Sequence, residues 1–539
     1  MALGNTTPFA PDRRLDIICL GRFAVDFYAQ QIGARLEDVT TFAKYLGGSS
    51  ANTAFGCARL GLKAAMISRV GDDALGRFLV ETLAREGCDV TAHLKTILSK
   101  IDLVIGTIEE FNIAGGHTEI MASLAAVRAV TPAVLVVKRG ATGCAVIDGA
   151  IPAALDAAFN GEGVEVEVLN VLGAGDAFSA GFLSAWVRGE DCGSAARYAN
   201  ACGALVVSRH GCAPAMPTRI ELDHFLAHAD AIPRPDQDPT LARLHRVTAP
   251  RRPHDEVLAF AFDDRNPFFD LAQESGATEA RLPALKSLLV AAVAETERER
   301  GLVGKVGILC DDRYGQDALN AATGRGWWIG RPVELPGSNP LQFDRGRSIG
   351  TTLATWPREH IVKCLLHYHP DDPVLHRLEQ EAQVRALYDA VQVTGHELLL
   401  EIIPPRHLPR ADDTVLRSMQ RLYNLGISPE WWKLEPMAPA QWRAVDALIA
   451  ARDPHCRGVV LLGLSAAIDA LAAGFRDARD STTCRGFAVG RTIFQEPSRA
   501  WLAGRLDDAG LRRAVRANYE NLIDLWRDSR AGASRERAA

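Results

Sequence analysis

The chain has no long apolar run, no apolar leader, no paired-cysteine motif and no excess of basic charge. None of its hydrophobic stretches reaches the roughly 20 residues that a membrane-spanning helix needs. The opening M-A-L-G-N-T-T-P-F-A-P-D-R-R lacks the apolar core of a secretory signal, so the expected location is cytoplasmic. Eleven cysteines are scattered without a C-x-x-C pair. That argues against a zinc site or a disulfide framework and reads them as reduced, mostly buried small hydrophobes. A net charge of -6 gives no bulk attraction to nucleic acid or to an anionic membrane. What remains is length and apolar content. With 539 residues and 47% hydrophobic side chains, two to four domains with sizeable cores are expected.

The most informative stretch is Leu172–Phe178, L-G-A-G-D-A-F. It follows an alternating apolar run, Val164–Val168, that reads as a strand, and it opens an apolar-periodic segment, Ala177–Val187, that reads as a helix. Glycines at a strand-to-helix turn let the backbone come close to a ligand. Free N–H groups at a helix start, with the positive end of its dipole, favour an anion there. Asp176 is the odd member. A carboxylate beside an anion site repels a phosphate unless it takes the proton from the hydroxyl that attacks it. An ordinary capped helix with Asp in its first turn fits the same residues, and the motif alone leaves both readings open.

With its continuation, L-G-A-G-D-A-F-S-A-G-F resembles the signature of the ribokinase-like (PfkB) sugar kinases. The wording V-L-N-V-L-G-A-G-D-A-F is closest to the 5-dehydro-2-deoxygluconokinases of myo-inositol breakdown. The resemblance implies a doubly wound α/β sheet, with ATP and Mg²⁺ as cofactors. It makes Gly173, Ala174 and Gly175 the anion hole and Asp176 the catalytic base. It implies substrate contacts at Asp26, just after the first strand Leu15–Leu20, and at Gly47, Gly48 and Asn52 of Y-L-G-G-S-S-A-N-T-A, which resembles the family's G-G-x-x-A-N signature. Asn52 offers both a donor and an acceptor to sugar hydroxyls. Where the family has N-x-x-E this chain has V-I-G-T-I-E-E-F, with Gly106 for the Asn. Glu109 would organise Mg²⁺ through water, and Glu110 reads as a helix-start acid. Lys138, Gly140 and Gly143 of K-R-G-A-T-G, and Asn200 of the helical segment Ala195–Ser208, would border the nucleotide, although Lys138 also reads as a solvated strand-end charge. The implied partners are a small sugar acid and a nucleotide, with neither nucleic acid nor membrane.

One block of the family pattern is missing. The helical segment Arg77–Gly87 leads through Val90–Lys100 straight to a strand at Ile101–Ile105. Relatives carry here the strands of a lid over the sugar, further strand–helix units of the central sheet, and a D-x-N-Y-R-P type motif that has no counterpart in this chain. A parallel sheet that loses interior strands must re-pair its neighbours or expose their edges. A kinase without its lid admits water to the phosphoryl donor. Relatives often dimerise through the lid, so its loss leaves homo-oligomerisation open. On this reading residues 1–231 are a truncated kinase domain.

Ile232–Pro253 holds five prolines and many charges without a sustained period and reads as a linker. Beyond it, over 254–530, apolar runs alternate with helical segments: Val257–Phe262, Val306–Cys310, Val362–Tyr368, Glu397–Ile403, Trp431–Leu434, Val459–Leu464 and Gly486–Val489. Seven or eight such units predict a (β/α)₈ TIM barrel, whose chemistry sits where the strands end. W-W-K-L-E-P places Lys433 and Glu435 on one strand face. A desolvated lysine near another cation, here Lys363, can form a Schiff base with a ketone; a buried Lys–Glu ion pair without chemistry fits the same pattern. The series A-F-D-D-R, V-K-C-L-L-H-Y-H-P-D-D, L-L-L-E-I, W-K-L-E-P and G-F-A-V-G-R resembles the class I tagatose-bisphosphate aldolases, and the segment also resembles an uncharacterised barrel domain often fused to inositol-pathway kinases. That resemblance implies Lys433 as nucleophile, Lys363 and Glu401 as its catalytic companions, and Arg491 as the phosphate ligand. His367 and His369 of H-Y-H raise a metal reading for which no third ligand is evident.

Overall fold

The structure, a computed structural model, describes residues 13–31, 35–68, 70, 73–88, 102–129, 131–249, 252–463 and 466–538. The chain divides into two compact units, Met1–Arg251 and Arg252–Ala539. Among the described residues no helix is long and apolar enough to cross a membrane, and all eleven cysteines are free thiols.

The first unit runs β1 (Ile17–Leu20), β2 (Ala24–Ala29), β3 (Phe42–Gly47), α1 (Ser49–Arg59), β4 (Ala64–Ile67), α2 (Ala74–Arg85), β5 (Leu103–Thr107), α3 (Ile108–Gly115), α4 (Ile120–Arg128), β6 (Val134–Lys138), β7 (Cys144–Ile147), β8 (Phe159–Gly161), α5 (Ala174–Trp186), α6 (Cys192–Val207), α7 (Arg219–His228) and α8 (Pro239–Val247). α5 is its hub. Ala177, Ala180, Gly181 and Ala185 keep it slim enough for α1 and α6 to approach, while Phe182 and Trp186 fill the core. The strands form three separate sheets: β1 with β4 in parallel, β2 with β3 antiparallel, and the four-stranded β5-β6-β7-β8. The expected parallel sheet is therefore in two pieces, with no ladder between β4 and β5 among the described residues. Ile18 and Leu20 of β1 are 43% and 54% exposed, the consequence of a sheet that lacks its neighbours. The Val90–Lys100 junction lies outside the described residues.

Two sequence expectations for this unit need correction. Val164–Val168 forms no ladder. Val164 and Val166 lean on the core, and Glu167 N donates to Pro233 O at 3.2 Å, so the alternation reflects one-sided packing of an extended segment. The stretch 232–253 is not a free linker either, because it contains α8. Asp238 caps that helix by accepting from Leu241 N at 2.7 Å, Leu241 is fully buried, and His245 pairs with Glu221 at 2.9 Å. Pro239 stands in the first turn of α8, where its missing N–H costs nothing.

The second unit is a closed barrel of eight parallel strands with helices between them. It runs β9 (Val257–Ala261), α9 (Arg265–Glu274), α10 (Leu282–Arg300), β10 (Val306–Leu309), α11 (Gln316–Ala322), β11 (Trp328–Pro332), α12 (Ile349–Leu353), β12 (His360–His367), α13 (Val374–Thr394), β13 (Leu398–Ile403), α14 (Thr414–Asn424), β14 (Trp431–Leu434), α15 (Pro439–Arg452), β15 (Gly458–Leu462), α16 (Ile468–Asp477), β16 (Cys484–Val489), α17 (Arg491–Leu502) and α18 (Asp508–Ala538). The strand that sequence periodicity missed is β11, W-I-G-R-P, whose Arg331 and Pro332 break the apolar run. Inside the barrel, Val257, Ala259, Leu309, Trp328, Ile361, Leu399, Trp431, Val460 and Ala488 make a dry layer. Trp328 and Trp431 meet edge-to-face there, with centroids 5.6 Å apart, and small residues on β9 and β16 leave room for them. Side chains two positions on point the same way. Ile361, Leu399 and Trp431 are thus followed inward by Lys363, Glu401 and Lys433, one layer nearer the C-terminal mouth.

Candidate active sites

In the first unit, three distant segments meet at the start of α5. Gly173 caps the helix with φ +85°, a left-handed conformation suited to glycine, and a side chain there would collide with Cys212. Asp176 sits in the first turn. Its Oδ1 accepts from Ser49 Oγ at 2.7 Å and its Oδ2 from Asn52 Nδ2 at 3.3 Å. Asn52 is buried and its Oδ1 has no hydrogen-bond partner among the described residues, so it offers an acceptor to an incoming hydroxyl. Asp26 on β2 lies across from Tyr45 in the β2–β3 ladder. Its carboxylate fills the space that a side chain at Gly47 would take, and Gly48 caps α1. The helix start that carries Asp176 is therefore lined by Asn52 and Ser49 of α1.

Lys138 ends β6 and turns to the same place, with its Nζ 3.1 Å from where a Cβ on Gly175 would be. An anion over Gly173, Ala174 and Gly175 would have backbone N–H groups and this ammonium to hold it, so the phosphates of a nucleotide fit the residues present. Glu109 is exposed in the first turn of α3. Its own amide and the Thr107 hydroxyl hold its carboxyl below the usual range. Glu110 exchanges capping bonds with Thr107, at 2.6 and 3.2 Å, and lies 3.7 Å from Lys138. Among the described residues no group of three His, Cys, Asp or Glu side chains is arranged to hold a metal ion by itself. One carboxylate with water and donor phosphates is an arrangement Mg²⁺ accepts. Of the other residues expected at the nucleotide, Gly140 begins the turn before β7. Gly143, at φ +93°, packs so tightly on Gly161 that no side chain fits. Asn200 donates to Gly161 O at 3.1 Å and Glu162 O at 2.7 Å, so its amide braces the end of β8.

The barrel mouth is a cleft of ≈ 390 Å³. Lys363 sits at its floor inside a cage of three carboxylates: Glu334 at 2.8 Å, Glu401 at 3.1 Å and Asp263 at 3.2 Å. Burial pulls its pKa down, but those three acids more than offset this and hold it well above the usual lysine value. Lys363 is accordingly a fixed ammonium. Lys433 has one carboxylate, the other oxygen of Glu401, at 3.0 Å, and it lines the open cleft. The two lysines thus share Glu401 between them. Burial raises the Glu401 carboxyl, yet Lys363 and Lys433 bring it below the usual range, and the same opposition, with Lys363 foremost, depresses Asp263. Arg491 opens α17 at the rim beyond β16, a position where barrels commonly hold a phosphate.

Three expectations change here. Glu435 does not pair with Lys433, because β14 ends at Leu434 and Glu435 turns to Arg410 at 2.5 Å. Lys363 is not an unpaired second cation, since three acids neutralise it. His367 and His369 do not share a ligand set: His367 lines the cleft, while His369 is buried outside its lining, accepting from Asp371 N at 3.1 Å and facing Pro409 O at 3.2 Å. Glu334 escaped sequence reasoning altogether. It follows β11, so missing that strand hid the acid that its end delivers, although V-E-L-P-G directly after an apolar run was a usable signal.

Comparison with known proteins gives separate results for the two parts. A family model described as "Uncharacterized protein conserved in bacteria (DUF2090)" matches residues 221–530, and the chain belongs to this family. The pfkB family carbohydrate kinase model matches in two pieces, 14–95 and 89–219, so the N-terminal part carries a PfkB carbohydrate kinase domain. The 5-dehydro-2-deoxygluconokinase of Geobacillus thermodenitrificans is 47% identical over 92 residues, which are 17% of this chain, and the chain spans only 27% of that relative's length. The 5-dehydro-2-deoxygluconokinase of Bacillus thuringiensis is 24% identical over 336 aligned positions that take in 42% of this chain and 99% of the relative. Far fewer residues of this chain than of the relative enter that alignment, as the missing block requires. Among solved structures, aminoimidazole riboside kinase from Salmonella enterica, complexed with aminoimidazole riboside and an ATP analogue, is similar at 19% identity over 39% of this chain and 99% of that one, with a TM-score of 0.32. Fructokinase from Vibrio cholerae, with fructose, ADP and calcium bound, is similar at 22% identity over 39% and 98%, with a TM-score of 0.33.

Proposed function

We propose that the chain is a two-site enzyme of myo-inositol breakdown that works in the cytoplasm. The first unit phosphorylates the terminal hydroxyl of 5-dehydro-2-deoxy-D-gluconate, with ATP as donor. The barrel cleaves the phosphorylated keto acid next to its carbonyl. One observation carries the kinase reading: Asp176 stands at a glycine-capped helix start, held by Ser49 and Asn52, with Lys138 over Gly175. Asp176 takes the proton of the attacking hydroxyl. Asn52 Oδ1 and Asp26 orient the sugar acid, and the backbone from Gly173 to Gly175 with Lys138 stabilises the charge that develops on the phosphoryl oxygens. Mg²⁺, when bound through Glu109, would neutralise charge on the donor phosphates. In the barrel, Lys433 forms an imine with the ketone, Glu401 and the fixed Lys363 set its orientation, and Arg491 holds the phosphate.

ATP consumption dependent on 5-dehydro-2-deoxy-D-gluconate tests the kinase half. Asp176→Asn should lower the rate at least a hundredfold. No sugar-dependent turnover in the folded wild-type chain removes that half of the proposal. The second reading, in which only the barrel is an enzyme, is favoured by the sheet in two pieces. It predicts borohydride-trapped adducts of a ketose phosphate on Lys433 without any kinase turnover.

A further inference from the structure

Cleaving a carbon–carbon bond through an imine needs a base for the hydroxyl two carbons from the carbonyl carbon, and the acids of the barrel floor are occupied. Glu401 gives one oxygen to Lys433 and the other to Lys363. Glu334 gives one to Lys363 and accepts from Leu365 N at 3.2 Å with the other. Asp263 is held by Lys363. A carboxylate that shares its charge with a buried ammonium is a poor proton acceptor.

His367 is different. It is the last residue of β12, lines the same cleft as Lys433, and pairs in register with Ile403. Its backbone is pinned, since the buried Gln380 donates to His367 O at 2.5 Å. A neutral imidazole has one ring nitrogen with a lone pair free to accept a proton. Burial, with Lys363 nearby, keeps the ring below its ordinary pKa against the opposing pull of Glu401 and Glu334, so it is neutral at pH 7.

Position supports the same choice. In the ring of strands β12 lies opposite β16. A substrate with its phosphate at Arg491, beyond β16, and its ketone at Lys433 on β14 sends its remaining carbons toward β12. Asp264, a cleft acid with no ion pair among the described residues, follows β9 beside β16, on the phosphate side.

We propose that His367 is the catalytic base of the barrel, accepting the hydroxyl proton as the carbon–carbon bond breaks. This rests on the aldolase reading above. Lys433 condenses with the ketone and releases water. His367 removes the hydroxyl proton, the C–O bond becomes a carbonyl, and the electrons of the broken C–C bond pass into an enamine on Lys433. A three-carbon aldehyde acid leaves. The enamine carbon takes a proton from water, His367 returns its proton to solvent, and one water hydrolyses the imine, freeing the ketose phosphate and Lys433.

The test uses the full chain with His367→Gln, and Asp264→Asn as comparison. Three readouts are followed: borohydride trapping of dihydroxyacetone phosphate on Lys433, exchange of that compound's C–H hydrogen into D₂O, and cleavage of phosphorylated 5-dehydro-2-deoxy-D-gluconate. Trapping and exchange do not involve the hydroxyl proton of the aldol. In His367→Gln both should stay within twofold of wild type while cleavage falls about 100- to 1,000-fold. Cleavage within fivefold of wild type, exchange lost together with cleavage, or the same split in Asp264→Asn instead would each overturn the assignment. A wild-type chain that traps no ketose phosphate fails at the earlier step, and the aldolase reading falls with it.

Discussion

At the scale of single residues, the barrel distinguishes two lysines by what surrounds them. Lys363 has three carboxylates and Lys433 has a share of one. Removing the cation of a buried cluster leaves its acids unpaired, so Lys363→Met should cost about 3–5 kcal/mol of stability, measured by urea unfolding. Lys433→Met should cost less and still abolish the borohydride adduct. Two histidines, His360 buried and His254 half-buried, set a pH dependence. His254 and His360 are pushed down to about 4, chiefly by burial, then by Arg457 and Arg331 respectively. An unfolded histidine titrates near 6.5. Between pH 6.5 and 4 the unfolded chain therefore binds more protons, so stability is full above pH 6.5 and falls as the pH drops toward 4. Thermal melts of the barrel at pH 7.0 and 5.0 should show the loss, and His360→Gln should reduce it; melts identical at both pH values would contradict the assignment.

At the scale of elements, α5 and the β1–β4 pair hold opposite positions in the first unit. α5 buries Phe182 completely between α1 and α6, so Phe182→Ala should cost about 3–5 kcal/mol. The β1–β4 pair has only its own ladder and leaves Ile18 and Leu20 in solvent. Its amides should exchange with deuterium at least tenfold faster than those of β6, whose side chains are buried and which is paired on both edges. Equal protection would mean that the sheet is whole. Seven barrel strands were legible because apolar residues dominate their runs, even where Lys363, Glu401 or Lys433 stands inside one. β11 was not, because Arg331 and Pro332 interrupt its run; Arg331 is buried over the Trp356 ring and pairs with Asp312 at 2.6 Å, partners that local periodicity does not reveal. Val164–Val168 misled for the converse reason, since alternation reports which side is buried and not whether a neighbouring strand exists.

At the scale of the whole molecule, the two units have separate cores, and each contains a site built from its own residues. Asp176→Asn should therefore leave ketose phosphate trapping on Lys433 unchanged; a fall in trapping would show that the sites are not independent. Local sequence was informative where neighbours along the chain form the feature, as in G-A-G-D at the start of α5. The cage around Lys363 was not legible, because Asp263, Glu334 and Glu401 come from three strands and only closure of the barrel brings them together. The central claim is that one site makes the substrate of the other. The direct measurement is the yield of ketose phosphate from 5-dehydro-2-deoxy-D-gluconate, ATP and Mg²⁺ in the wild-type chain, in Asp176→Asn and in Lys433→Met. The account predicts product from the wild type, unreacted sugar acid with Asp176→Asn, and accumulated phosphorylated acid with Lys433→Met. Ketose phosphate formed by the Lys433→Met chain, or no phosphorylated acid from any of the three, would contradict it.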